Sequence, residues 1–221
     1  MEGSRAVALA FIGTLAAGPC AAQSTAARPP LVRADVHGTL GWLNAASHLS
    51  TQGDDWYNRL LHGAAGVGWY WTDHVKTEVD VGGSTAADLY SYEPVVISGQ
   101  TTFLSFRRKF HTTTVAATQQ YQFFRNAWFH PYVGAGVEVS WDRFERRDEP
   151  LFLYDPVTRQ PRLRRDSTSH EPDTEVYGRP LGAIGFKAYM TPRGFFRTDL
   201  RVGVRNRIDR VLLRFGFGID F

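Results

Sequence analysis

Val211-Leu-Leu-Arg-Phe-Gly-Phe-Gly-Ile-Asp-Phe221 is the stretch that decides the fold. Its odd positions, Val211, Leu213, Phe215, Phe217, Ile219 and Phe221, are all large and apolar. Its even positions, Leu212, Arg214, Gly216, Gly218 and Asp220, are mostly small or charged. Side chains along a strand alternate between faces, so this is a strand with one greasy face and one polar face. The sequence stops on that strand at Phe221, without a polar tail.

The same two-residue rhythm recurs through the chain. Val32, Ala34, Val36, Leu40 and Trp42 oppose Arg33, Asp35, His37 and Thr39. Leu61, Ala65, Val67, Trp69 and Trp71 oppose His62, Gly66 and Gly68, and a turn at Thr72-Asp73-His74 follows. Val75, Thr77, Val79 and Val81 oppose Lys76, Glu78 and Asp80. Val115, Ala117, Tyr121 and Phe123 oppose Thr114, Thr118, Gln120 and Gln122. Val133, Ala135, Val137, Val139 and Trp141 oppose Gly134, Gly136, Glu138 and Ser140. Gly182, Ile184, Phe186 and Ala188 oppose Ala183, Gly185 and Lys187. Phe196, Leu200, Val202 and Val204 oppose Arg197, Asp199, Arg201 and Arg205. With the closing stretch, these segments amount to eight strands.

The connections read as unequal. Asn44 to Arg59 reads as a loop, and Asp142 to Glu175, crowded with Arg, Asp, Glu and Pro, as a long one. Between Gly82 and Phe110 there are turn signals at Gly82-Gly83, Tyr90 to Pro94 and Ser98-Gly99, with Val95 to Ile97 and Phe103 to Phe106 as short strands outside any membrane. Around Arg125-Asn126-Ala127 and Met190 to Gly194 the turns are tight. Aromatic residues gather at the segment ends: Trp69, Trp71, Phe123, Trp128, Phe129, Tyr189, Phe196 and Phe221 at one end, Trp42 and Trp141 at the other.

The chain has 221 residues, 21% charged and 14% aromatic, with a formal net charge of +3. Past the N-terminus no apolar run reaches 18 residues, so no membrane-spanning helix is encoded, and a barrel needs none. Arg107-Arg108-Lys109 is the one uninterrupted basic run, too short for a nucleic-acid patch. Residues 1–22 read as a cleaved secretory signal: Arg5, an apolar core from Ala6 to Gly18, then Cys20-Ala21-Ala22, with cleavage after Ala22 or after Gln23. Cys20, the single cysteine, is preceded by Pro19 where a lipoprotein signal has a small residue. Residues 23–31 form a short lead-in and residues 32–221 the domain.

Alternating strands, unequal connections, a signal and a terminal Phe together resemble the outer-membrane β-barrel domain family, the small OmpA/OmpX-like barrels. The resemblance covers about residues 32 to 221. It implies an all-β fold: an eight-stranded antiparallel up-and-down transmembrane β-barrel with short periplasmic turns and long extracellular loops. It also implies the cell outer membrane as location and outer-membrane lipid as environment. Barrel assembly machinery and periplasmic chaperones are implied as partners, with Phe217, Ile219 and Phe221 as the assembly signal.

In such a barrel the polar faces point into a narrow interior. Lys76, Glu78, Asp80, Glu138, Lys187, Arg197, Asp199, Arg201 and Arg214 are therefore expected to form ion pairs, since an isolated buried charge is costly. Arg197, Arg201 and Arg214 should face Glu78, Asp80, Glu138 or Asp199. The glycines on that face should make room for long cationic side chains. Gly218→Ala, which adds one methyl to the interior, should be milder than Phe217→Arg.

Chemistry is sparsely signalled. A hydrolase would need a serine, a histidine and a carboxylate within reach. His48-Leu49-Ser50 with Asp54 and Asp55 lies in a loop, and Ser169 and His170 are adjacent, so that an extended chain turns them apart. The seven histidines lack zinc spacing, and Glu171, Asp173 and Glu175 read as a solvated loop before a calcium site. No cofactor, metal, nucleic acid or catalytic residue is expected, and the surface partner is left open. The reading is a structural or surface-interaction barrel plugged by ion pairs. The alternatives are a lipid A-modifying enzyme and a soluble periplasmic lipocalin-like carrier of hydrophobic ligands.

Overall fold

The structure is a computed structural model that describes residues 33–47, 52–53, 56–97, 99–123, 128–155, 158 and 160–221. The signal and lead-in expected at 1–31, the turn at 125–127, and His48, Leu49, Ser50, Asp54 and Asp55 lie outside the described residues. The strands in chain order are β1 (Ala34–Ala46), β2 (Gln52–Gly53), β3 (Trp56–Tyr70), β4 (Val75–Ser84), β5 (Ala87–Ile97), β6 (Gln100–Gln122) and β7 (Phe129–Asp148). They continue as β8 (Leu151–Tyr154), β9 (Pro161–Arg165), β10 (Thr168–Ser169), β11 (Asp173–Tyr189), β12 (Gly194–Val204) and β13 (Ile208–Asp220).

Eight of them close a ring of antiparallel neighbours, β1-β3-β4-β6-β7-β11-β12-β13. Pairing of β13 back onto β1, with Asp35 opposite Asp220 and Trp42 opposite Leu213, completes it. Closure leaves no sheet edge in the wall, the condition for a β-structure to cross lipid. The wall is apolar outside and polar inside. On β13, Phe217 is 62% exposed while Arg214 is 1% exposed, so the two faces fall as the alternation predicts. Val36, Leu40, Val67, Val79, Val115, Val137, Ile184, Leu200 and Phe215 join Phe217 on the outside.

The long connections carry more strand than their sequence suggests. β6 runs unbroken for 23 residues, and its first half pairs with β5, so Tyr90 to Pro94 lies within a strand and not at a turn. β7 continues to Asp148 and β11 starts at Asp173, so both ends of the expected 142–175 loop belong to the wall. Asn44 to Ala46 and Trp56 to Arg59 likewise extend β1 and β3. Above the membrane the outer face of a strand meets water and need not be apolar, so the hydrophobic rhythm fades while the ladder continues. Within the remaining 142–175 connection, β8 pairs with β9, and β10 adds to β7.

Some inward neighbours differ from expectation. Tyr189, placed in the aromatic girdle by sequence, donates its hydroxyl hydrogen to Asp220. Arg33, placed inside, is exposed. Gly66 and Gly68 do make room for long side chains: a Cβ at Gly66 would fall 2.6 Å from His37 Nε2, and at Gly68 it would fall 2.9 Å from Lys76 Cε. At Gly218 it would meet the Val36 carbonyl oxygen at 2.6 Å and press on the Phe195 ring. Gly218→Ala is therefore not the mild change that its position on the strand suggests.

Both changes on β13 should accordingly be harmful, for different reasons. Phe217→Arg should cost about 2–4 kcal/mol by placing a charge in lipid. Gly218→Ala should cost about 1–3 kcal/mol by overpacking against backbone and ring. Urea unfolding in micelles measures both, and wild-type stability for Gly218→Ala would show that Phe195 moves aside freely.

Candidate functional site

Alternation aims one side chain in two at the interior, and among the described residues the interior is filled with charge. Glu78, fully buried, sits at its centre. Arg197 donates to it through both terminal nitrogens, Nη1 to Oε2 at 2.8 Å and Nη2 to Oε1 at 3.0 Å. Arg201 Nη2 donates to Glu78 Oε1 at 2.9 Å and to Asp80 Oδ2 at 2.7 Å. Lys76 Nζ lies 2.7 Å from Glu78 Oε2. Arg214 forks onto Asp199, with Nε to Oδ1 and Nη2 to Oδ2 both at 2.9 Å, and reaches Asp80 at 3.1 Å. Bidentate pairs of this kind are strong and fixed in direction.

Two phenols complete the core of the network. Tyr132 donates to Asp199 at 2.9 Å and accepts from Arg197 at 2.9 Å. Tyr70 donates to Asp35 at 2.9 Å and accepts from Lys187 at 2.6 Å. Lys187 also donates to Asp35 at 3.1 Å and to Asp220 at 2.9 Å, which closes the turn-side end.

All nine side chains singled out from sequence as interior ion-pair candidates are buried and paired. One assignment within the set changes. Glu138 does not meet Arg197, Arg201 or Arg214. Arg210 Nη1 donates to it at 2.8 Å, and Arg179 stands 3.7 Å away. Arg210 and Arg179 also reach Asp142, and Arg179 lies 3.7 Å from Asp209. Sequence reading missed Arg179, Arg210, Asp142 and Asp209, because these sit where lipid-face alternation is weak or where loops were expected. Their signal is the parity of their own strands, counted on past the last apolar outward residue.

Above the charges the interior turns apolar. Leu43, Ala45, Tyr57, Leu60, Leu89, Phe110, Phe144 and Leu212 form one buried cluster at the loop end. Tyr57 stacks on Phe110 at 4.7 Å between centroids. The Arg108 guanidinium covers Phe144 at 4.0 Å, a cation–π lid. Outside this cluster, buried Asp148 gathers Arg146 at 2.7 Å, His170 at 3.1 Å and Arg165 at 3.2 Å, tying β10 and the end of β9 to β7. Burial opposes ionisation of Asp148, but the hydrogen bonds from Arg146 and His170 outweigh it and hold the carboxyl below its usual range.

The chemical options narrow on this geometry. Asp35, His37 and Glu78 bring ligand-type atoms within 4.8 Å of one another. The Lys76 ammonium stands 2.9 Å from Asp35 and 2.7 Å from Glu78, however, so a cation already occupies the ground between the two carboxylates. Glu171, Asp173 and Glu175 are not gathered into a metal-competent group, and Glu175 accepts the Tyr177 hydroxyl. Ser169 precedes His170, whose Nε2 is engaged by Asp148.

Comparison with known proteins follows the same line. Residues 7–171 match the family model described as outer membrane protein beta-barrel domain. A search of curated proteins gives no match. Among solved structures, the N-terminal β-barrel domain of Pseudomonas aeruginosa OprF is 13% identical, with a TM-score of 0.51 over 86% of this chain and 98% of that one. Neisserial surface protein A is 13% identical, with 0.49 over 85% and 97%. Ail, the attachment invasion locus protein of Yersinia pestis, is 8% identical, with 0.48 over 86% and 99%. At 13% identity the likeness to the OprF domain bears on the fold alone.

Glu138→Ala should leave the buried Arg210 and Arg179 short of a partner and destabilise by about 3–5 kcal/mol. Equilibrium unfolding in micelles checks this. A negligible shift in midpoint would mean that water already solvates Glu138.

Proposed function

The chain belongs to the outer membrane protein β-barrel domain family, and within it we propose a closed, non-catalytic barrel that anchors an extracellular interaction surface. What supports this reading is the packing of the interior. Interlocked Arg–carboxylate pairs fill the transmembrane part, and the apolar cluster of Tyr57, Phe110 and Phe144 covers its mouth. Moving an ion through would require breaking bidentate pairs between buried groups, where an unpaired charge is costly. The parts built to meet partners are then the β5–β6 hairpin and the β7–β11 connection, which rise beyond the lipid-facing band.

Planar-bilayer recording of the purified barrel tests closure. Little or no steady conductance is expected, and large stable channels would overturn the plug.

The remaining parts of the proposal concern delivery. Residues 1–22 direct export and are removed, and the Phe217, Ile219 and Phe221 face of β13 is read by periplasmic chaperones and the barrel assembly machinery. Deleting Phe221 should lower the yield of folded, heat-modifiable protein in cells while leaving the unfolding midpoint of the refolded protein nearly unchanged. Normal assembly of the deletion would remove Phe221 from the signal.

A further inference from the structure

We propose that Asp148 is a latch. Its buried carboxylate fastens the connection 149–172 to the end of β7, and loss of its charge frees that connection as one unit while the barrel stays folded. The inference concerns how the connection is held. It does not depend on closure of the lumen, which bilayer recording tests separately.

The same dipeptide bounds the connection at each end, Glu149-Pro150 and Glu171-Pro172. Proline has no backbone N–H and cannot continue a ladder, so wall strand gives way at both places. Little is packed between them. Among the described side chains of 151–170 Leu151 alone is buried, while Phe152 and Leu163 are exposed. β8 and β9 pair with each other and with no other described strand, and a lone two-stranded hairpin is marginal in water. The backbone ties to the wall are few. Thr168 stands opposite Asp148 and Ser169 opposite Arg147. The His170 N–H donates to the Arg146 carbonyl and the Glu149 N–H to the Ser105 carbonyl, both at 2.9 Å. A segment with so few buried apolar contacts opens at small cost unless side chains hold it.

Asp148, 1% exposed, supplies that hold. Its Oδ1 accepts from Arg146 Nε at 2.7 Å. Its Oδ2 accepts from Arg165 Nη2 at 3.2 Å and lies 3.1 Å from His170 Nε2. Arg165 ends β9 and His170 follows β10, so one carboxylate grips the connection at two points. Arg146 carries the chain on to β5, donating to Glu93 at 2.7 Å and 3.4 Å. Glu93, Arg146, Arg165 and His170 are the charged and titratable groups gathered around Asp148 among the described residues. Removing its charge leaves Arg146 with Glu93 and sends the exposed Arg165 and His170 to water, so release strands no buried cation. Burial opposes ionisation of Asp148, but the bonds from Arg146 and His170 hold its carboxyl below the usual range. A carboxylate lowered in this way stabilises the latched form above its ordinary range, and that stability is lost as pH falls through the lowered value. Acid therefore opens the latch. Opening uncovers the edge of β7 at Arg146 to Asp148, whose backbone groups then stand ready to pair.

The test is amide hydrogen exchange of the refolded full chain in an uncharged maltoside detergent, with rates corrected for the intrinsic pH dependence of exchange. In Asp148→Asn the amides of Thr168 to His170 should exchange at least about tenfold faster than in the wild type. Those of β7 up to Phe144 and of β11 from Val176 onward should not change, nor should the unfolding midpoint or the heat-modifiable band. Arg165→Gln and His170→Gln should each give part of the effect. In the wild type the same three amides should lose protection as pH falls below the usual carboxylate range, and Asp148→Asn should show no such dependence. Undiminished protection of His170 in Asp148→Asn would overturn the proposal. So would faster exchange that spreads into β6 and β7 with a lowered midpoint, since Asp148 would then belong to the folded core. A pH dependence that persists in Asp148→Asn would also overturn it, because the trigger would lie on another group.

Discussion

A charge removed from water must be paired, and the interior of this barrel depends on that constraint. Among the described residues eight buried carboxylates (Asp35, Glu78, Asp80, Glu138, Asp142, Asp199, Asp209 and Asp220) share the lumen with seven buried cations (Lys76, Arg179, Lys187, Arg197, Arg201, Arg210 and Arg214). The near balance matters more than any one pair. Guanidiniums bridge carboxylates on different strands, as Arg214 does between Asp80 of β4 and Asp199 of β12 while standing on β13. The wall strands are thereby tied across the lumen as well as along their backbone ladders. His37, 3.0 Å from Asp80 and within 3.7 Å of Glu78, adds an imidazole to the same centre.

The outside obeys the opposite rule. Where the wall meets lipid the large outward residues are mostly Val, Leu, Ile, Phe and Trp, and on β7 outward charge begins beyond Trp141. This switch separates the two halves of the molecule by solvent alone. β6 and β7 cross it without a break in pairing. Below it their outward side chains are chosen by hydrocarbon, and above it by water and by whatever lies in the headgroup layer.

Legibility in the sequence follows the same division. The lipid-facing strands could be read residue by residue, because burial of one face and lipid contact on the other leave a strict period of two. Glu78, Asp80, Arg197, Asp199, Arg201 and Arg214 could be named for the same reason. Strand above the membrane could not: the outward Arg107, Lys109 and Arg147 look like loop charge, although each sits in an unbroken ladder. Partner choice inside the lumen was also hidden. Parity says that Glu138 points inward, but only the register of the closed ring places it beside Arg210 and not beside Arg197. The effect of Gly218 depended on the position of Phe195, a neighbour on another strand that no single-strand pattern specifies.

The central claim, that the lumen is closed by mutually dependent charge pairs, is tested most directly by a double-mutant cycle on Glu78 and Arg197. Glu78→Gln, Arg197→Gln and the double variant would be unfolded in urea in the same micelles. The account predicts that the double variant loses less stability than the two single variants combined, with a coupling above about 1 kcal/mol, because each single change strands its partner's charge. Additivity within about 0.5 kcal/mol would contradict it, showing the two groups to be solvated independently within an open, hydrated lumen.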